Sequence, residues 1–190
     1  MTLLFNMGVP MIIPAMFFMA VALGPIVLIE SSYIAKRLGI HLQRTVGPVA
    51  LANVITTLVG IPSTWVVLFV LQLITGAAFG QRIDGFGGKL ISVTLQSAWM
   101  FPYPDETAYW VFYLSALFLL IPFFFATWLV EYVVMRNKLA SEVVNTNEAV
   151  EISTAERTVF RTVRNANLLS YGLIALLIVV SLILVALNRT

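Results

Sequence analysis

Leu173-Ile174-Ala175-Leu176-Leu177-Ile178-Val179-Val180-Ser181-Leu182-Ile183-Leu184-Val185-Ala186-Leu187 contains a single hydroxyl group and no charge. The uncharged stretch around it runs over 165–188. That is enough to cross a hydrocarbon core about 30 Å thick at about 1.5 Å of helix rise per residue. Three more runs precede it: residues 1–29, 45–81 and 107–130 are also uncharged. The expected fold is therefore all-α and polytopic, with four transmembrane helices at about 10–35, 48–74, 107–135 and 160–187, arranged as two tandem helical hairpins. Pro10 and Pro14 stand near the start of the first span, and Gly24-Pro25 is a candidate kink within it. Gly60 and Pro62 are expected to bend or unwind the second.

The composition of the 190-residue chain agrees. Hydrophobic residues make up 60% and charged residues 11%, against roughly 45–50% and 25% in ordinary globular proteins. With a mean hydropathy of +0.96, there is too little polar surface to coat a water-facing domain. Eleven Lys/Arg against nine Asp/Glu leave a net charge of +2, which disfavours a nucleic-acid partner. The lack of cysteine excludes disulfides and thiolate sites, and a single histidine excludes a multi-histidine metal or haem site. No cofactor and no metal are expected.

Charge in the loops sets the orientation. Lys36, Arg37 and Arg44 lie between spans 1 and 2, and Arg136, Lys138, Arg157, Arg161 and Arg164 lie between spans 3 and 4. The opposite side carries only Arg82, Lys89 and Arg189. The positive-inside rule then places the 1–2 and 3–4 loops in the cytoplasm and both termini outside. The first cations follow the first apolar run, which is the polarity of an uncleaved anchor. The stretches Asn53–Pro62 and Ala98-Trp99-Met100-Phe101-Pro102-Tyr103 resemble segments of small bacterial membrane proteins. Nothing is carried over from that resemblance; the expected location is a bacterial plasma (inner) membrane or an internal bacterial membrane.

The two halves repeat a pattern. Span 1 ends Leu28-Ile29-Glu30 and span 3 ends Leu129-Val130-Glu131. Span 2 contains Arg44-Thr45-Val46, then Ala52-Asn53-Val54-Ile55-Thr56 and Gly60; span 4 contains Arg161-Thr162-Val163, then Ala166-Asn167-Leu168-Leu169-Ser170 and Gly172. The offsets differ by two or three residues. A duplicated hairpin gives a parallel repeat about an axis along the membrane normal. It would bring Glu30, Asn53, Thr56, Glu131, Asn167 and Ser170 to one depth as an intramembrane polar cluster. Ionisable groups in a span are costly and mark function by default. Two roles fit: an ion or proton site, or an interhelical lock worth about 0.6–2 kcal/mol per bond.

Arg157, Arg161 and Arg164 share one helical face and are candidate contacts for anionic lipid headgroups or a partner protein. Ser153-Thr154-Ala155-Glu156 reads as a capping box. The 137–156 segment is expected as a cytoplasmic loop with a turn at Asn145-Thr146-Asn147. The 76–106 segment is expected as an outer loop. Its Gly85-Phe86-Gly87-Gly88 lacks the spacing of a phosphate loop. Gly76 and Gly80 have GxxxG spacing. Trp99, Phe101, Tyr103, Tyr109, Trp110 and Tyr113 read as an interfacial belt. His41 reads as a solvated residue.

No nucleophile–base arrangement is visible, and the acidic pair Asp105-Glu106 consists of sequence neighbours whose side chains diverge. The favoured expectation is a noncatalytic accessory, assembly or scaffold subunit, in contact with lipid and with other membrane proteins or copies of itself. An oligomeric transporter or channel protomer using Glu30/Glu131 with Asn53/Asn167 stands second. A lipid-modifying membrane enzyme stands third.

Overall fold

The computed structural model describes residues 12–78, 85–96, 109–147 and 149–188. Among these the chain is 93% helical, with no strand. The elements are α1 (Ile12–Leu38), α2 (Leu42–Ala78), α3 (Phe86–Gln96), α4 (Tyr109–Thr146) and α5 (Ile152–Leu187). Three helices are long and apolar enough to cross a membrane, over Leu42–Leu71, Trp110–Thr146 and Ile152–Leu187. The expected first span coincides with α1, which is 27 residues long, helical on both sides of Pro25, and carries Lys36 and Arg37 in its last turn. Likewise α2 runs unbroken through Gly60 and Pro62. The Gly80 half of the GxxxG pair, the Trp99–Tyr103 aromatics, Asp105-Glu106 and three of the outer charges (Arg82, Asp84, Arg189) lie outside the described residues.

Two compact units divide these helices. One comprises residues 1–18, 61–121 and 175–190; the other comprises 19–60 and 122–174. In the first, Phe86 at the start of α3 stacks on Trp110 of α4, with ring centroids 5.1 Å apart. Trp110 therefore has an intramolecular partner beyond any interfacial role, and the expected outer loop contains a helix. Val111 and Ser115 are buried one turn apart on α4 of this unit.

The second unit is a four-helix arrangement with its polar groups inside. Glu30, Ser31, Thr45, Asn53, Glu131, Thr162, Asn167 and Ser170 are all buried. Leu28, Leu51, Leu58, Leu129, Val133, Leu168, Leu169 and Leu173 are exposed. A water-soluble bundle has the reverse distribution, because apolar area gains about 25 cal/mol per Å² on leaving water. In hydrocarbon that gain is absent, and small residues and polar bonds hold helices together instead.

The α1–α2 hairpin is set by a three-residue turn. Gly39 has φ +67°, and the Ile40 N–H donates to the Ala35 carbonyl at 3.2 Å. This is a Schellman closure, with Ile40 folded back beside Ile34 and Ala35, all three buried. Arg44 N–H donates to the His41 carbonyl at 2.9 Å, which opens α2. A β-carbon at Gly39 would meet nothing within 4 Å, so backbone strain alone sets the effect of a substitution. Gly39→Ala is expected to cost about 1 kcal/mol, seen as a lower unfolding midpoint in detergent titration.

The second hairpin departs from its expected form. The 137–156 segment is not a loop: α4 continues helical to Thr146, and Leu139, Ala140 and Glu142 on it are buried. Among the described residues of the segment, Asn147 and 149–151 are non-helical, and the turn centres on Asn147. There the Asn147 carbonyl accepts from Val150 N–H at 3.0 Å and its Oδ1 accepts from Ala149 N–H at 3.3 Å. Nor does Ser153 cap α5. The helix starts at Ile152, and the Glu151 carbonyl accepts the Thr154 and Ala155 N–H groups, each at 3.0 Å. Arg44 joins the two hairpins through an ion pair with Glu142 at 2.7 Å, with Lys138 also 3.7 Å from that carboxylate.

Candidate functional site

The site lies within the second unit and is built from one face of each of its four helices. Residues three and four apart on a helix are neighbours on its surface. Val49, Ala52 and Asn53 thus form one buried patch of α2, and Val163, Ala166, Asn167 and Ser170 form one of α5. Glu30 and Ile34 occupy the facing side of α1, and Glu131 and Met135 that of α4.

Five side chains make one connected network. Asn53 Nδ2 donates to Glu30 Oε2 at 2.8 Å, and Ser170 Oγ donates to Glu30 Oε1 at 2.6 Å. Ser170 also lies 3.1 Å from the Asn167 carbonyl, one turn back on α5. Asn167 Nδ2 then donates to Glu131 Oε2 at 2.6 Å. The chain of contacts passes from α2 through α1 and α5 to α4. Glu30 is 1% exposed, Glu131 and Asn167 0%.

The two Glu–Asn pairs have the same construction. Each asparagine gives one amide hydrogen to the glutamate of the preceding long span and the other to the carbonyl four residues earlier: Val49 at 3.1 Å for Asn53, and Val163 at 3.2 Å for Asn167. The correspondence extends along the helices. At an offset of 114, Thr45, Val49, Ala52 and Asn53 match Val159, Val163, Ala166 and Asn167, and every one of them is buried. At an offset of 101, Glu30 and Ile34 match Glu131 and Met135, also all buried. Thr45 therefore corresponds to Val159, not to Thr162 as the Arg-Thr-Val triplets suggest.

Of the six residues expected in the polar cluster, the structure joins five. Thr56 stays on its own helix, with Oγ1 donating to the Asn53 carbonyl at 2.9 Å. Several participants escape a reading of sequence alone. Thr45 Oγ1 reaches the Ser31 carbonyl across the hairpin at 3.3 Å and the Leu42 carbonyl at 2.8 Å. Thr127 and Tyr171 hydroxyls bond at 2.8 Å between α4 and α5. Trp128 packs against Phe124 and Phe160, with centroids 6.0 and 4.9 Å apart. Hydroxyls one helical turn from Glu131 and Asn167 were the available signal for the Thr127–Tyr171 pair.

Four buried polar atoms of this unit have no hydrogen-bond partner: Ser31 Oγ, Trp128 Nε1, Glu131 Oε1 and Asn167 Oδ1. Such atoms are uncommon in native interiors and call for an explanation. Among the described residues no group of three or more His, Cys, Asp or Glu converges as a metal-ligand set.

The arginine stripe lies apart from this network. Arg157, Arg161 and Arg164 are exposed. Arg157 and Arg161 line a shallow groove of about 480 Å³ with Ser153, Glu156, Phe160 and Tyr132. Tyr132 of α4 meets Phe160 edge to face at 5.0 Å and forms the aromatic side of that groove. Arg164 turns to the neighbouring Asn165, 3.4 Å away.

Comparison with protein-family models, with curated proteins and with solved structures finds no match to this chain.

Proposed function

We propose that this chain is a small noncatalytic integral membrane protein that serves as an accessory, assembly or scaffold subunit of a larger membrane complex. In this reading it has four spans, α1 supplying the first, and arose by tandem duplication of one hairpin. The observation that carries the proposal is how the interior polar hydrogens are used. Both amide hydrogens of Asn53 and of Asn167, and the hydroxyls of Thr45 and Ser170, join one helix to another or to its own backbone. Groups engaged in this way fix helix positions; they do not activate a nucleophile. The paired offsets of 101 and 114 and the identical Glu–Asn–carbonyl bonding support the duplication. The exposed leucines and valines, with only 6% of each apolar window buried, suit a chain surrounded by lipid and by other spans.

The proposed site of residence is a bacterial inner or internal membrane, with the basic connections in the cytoplasm. Arg157 and Arg161 then stand where anionic headgroups lie, each worth about 1 kcal/mol of attraction. Purification of the tagged chain in mild detergent, followed by mass spectrometry, tests the proposal. It is expected to recover a larger membrane protein in fixed stoichiometry. A stable assembly of this chain alone would overturn it.

A second reading, an oligomeric transporter or channel protomer, is favoured by one feature. The network contains two carboxyl groups and no basic side chain, so their charge calls for compensation by a proton or a cation. Under that reading Glu30→Gln and Glu131→Gln abolish flux in reconstituted vesicles while the chain still inserts; flux that survives both changes removes it.

A further inference from the structure

The duplicated bonding breaks at one point. At the offset of 114, Thr56 stands where Ser170 stands. Ser170 crosses to Glu30 at 2.6 Å, whereas Thr56 donates to the Asn53 carbonyl of its own helix at 2.9 Å. Glu30 consequently has a donor on each oxygen, and Glu131 has a donor on Oε2 alone. Its Oε1 is buried and unpartnered, and so is Oδ1 of Asn167. These two free atoms belong to the two groups joined by a single 2.6 Å hydrogen bond.

We propose that Glu131 and Asn167 together bind one small monovalent cation, a proton or an alkali ion, and that Glu30 does not. Both free atoms are acceptors, so what they lack is a donor or a positive charge. A buried carboxylate without a compensating partner is among the costliest groups in a low-dielectric interior. One unit of charge is enough to balance it. A divalent ion such as calcium wants six or more oxygens, more than this pair offers.

The groups that act on Glu131 are few. Glu30 of α1 joins it through Ser170 and Asn167, and Tyr171 of α5 stands one turn beyond Asn167. Tyr171 is also bonded to Thr127. From α2 the network receives Asn53, on Glu30, and Asn53 does not titrate. This inference deepens the second reading above by assigning the cation to one half of the repeat. It concerns binding, whereas that reading concerns flux, so either can fail while the other stands.

The test is infrared difference spectroscopy of the full chain in lipid nanodiscs, following the carboxyl and carboxylate stretches. One series varies pH in choline chloride, and the other varies sodium at fixed pH. Against the background of its other Asp and Glu residues, the wild type is expected to show one responding carboxyl group that belongs to this network. Its response should vanish in Glu131→Gln and persist in Glu30→Gln. A response to pH alone identifies the proton, and a shift with sodium identifies an alkali ion. If Glu131→Gln does not fold, Glu131→Asp takes its place. That variant keeps the carboxyl but withdraws it by one methylene, and its midpoint should move by about tenfold in proton or sodium concentration. A Glu131→Gln variant with the same response as the wild type in both series, a response lost in Glu30→Gln but kept in Glu131→Gln, or an unmoved midpoint in Glu131→Asp would overturn the proposal.

Discussion

Asn167→Ala is expected to destabilise the four-helix unit by about 2–3 kcal/mol, and Asn53→Ala by only about 1 kcal/mol. The two asparagines make the same bonds, so the difference comes from what each leaves behind. Without Asn53, Glu30 still accepts from Ser170 at 2.6 Å. Without Asn167, Glu131 keeps no donor at all, because its Oε1 has none to begin with. A buried acceptor stripped of its last partner bears the desolvation penalty in full, and a charged one bears more. Reversible unfolding in bicelles, followed by tryptophan fluorescence, measures both losses. Adding Glu131→Gln to Asn167→Ala should restore part of the stability, since a neutral amide costs less to bury than a carboxylate. Equal losses for the two asparagines would show that the broken correspondence has no energetic weight.

A bulkier side chain beside either asparagine should do comparable damage by a different route. Ala52 and Ala166 are both 0% exposed and occupy matching positions next to Asn53 and Asn167. Small residues at such places let helix backbones approach closely, which is what allows an asparagine to reach a carboxylate on the adjacent helix. Leucine at either position overfills the contact by three carbons and pushes the helices apart. Ala166→Leu and Ala52→Leu are each expected to cost about 2–3 kcal/mol, the upper part of the usual overpacking range, because the polar bonds lengthen too. Leu168→Ala, one position beyond Asn167 and half exposed, supplies the comparison and should stay within about 0.5 kcal/mol. Denaturant midpoints of the three variants check the order.

Within each hairpin the site was legible, because Glu30 with Asn53 and Glu131 with Asn167 recur in the same order and at helix-facing positions. The bond from Ser170 to Glu30 was not. It links residues 140 apart in the chain, and a pattern repeated within each half says nothing of which hydroxyl crosses to the other half. Thr56 carries the same chemistry as Ser170 and yet bonds backwards, a rotamer choice that composition does not reveal. The helical extension of α4 was obscured by its charges. Arg136, Lys138 and Glu142 read as a loop, although Leu139, Ala140, Val143 and Val144 recur at helical spacing and pack in the core cluster. Gly39 following Lys36-Arg37-Leu38 was a readable helix stop. Its significance lay in the Ile40 closure, which only the fold displays.

The spacing between the paired side chains differs: 36 residues separate Asn167 from Glu131, and 23 separate Asn53 from Glu30. The additional thirteen all fall on the side of the connecting turns. Beyond its glutamate, α4 runs seven residues farther than α1 does, and before its asparagine α5 begins four residues earlier than α2. At about 1.5 Å per residue the longer arm overhangs by about 10 Å. Leu139, Ala140 and Val150 of the longer hairpin pack in one cluster with Ile40 of the bend at 39–41, so the extra length is seated against the first hairpin.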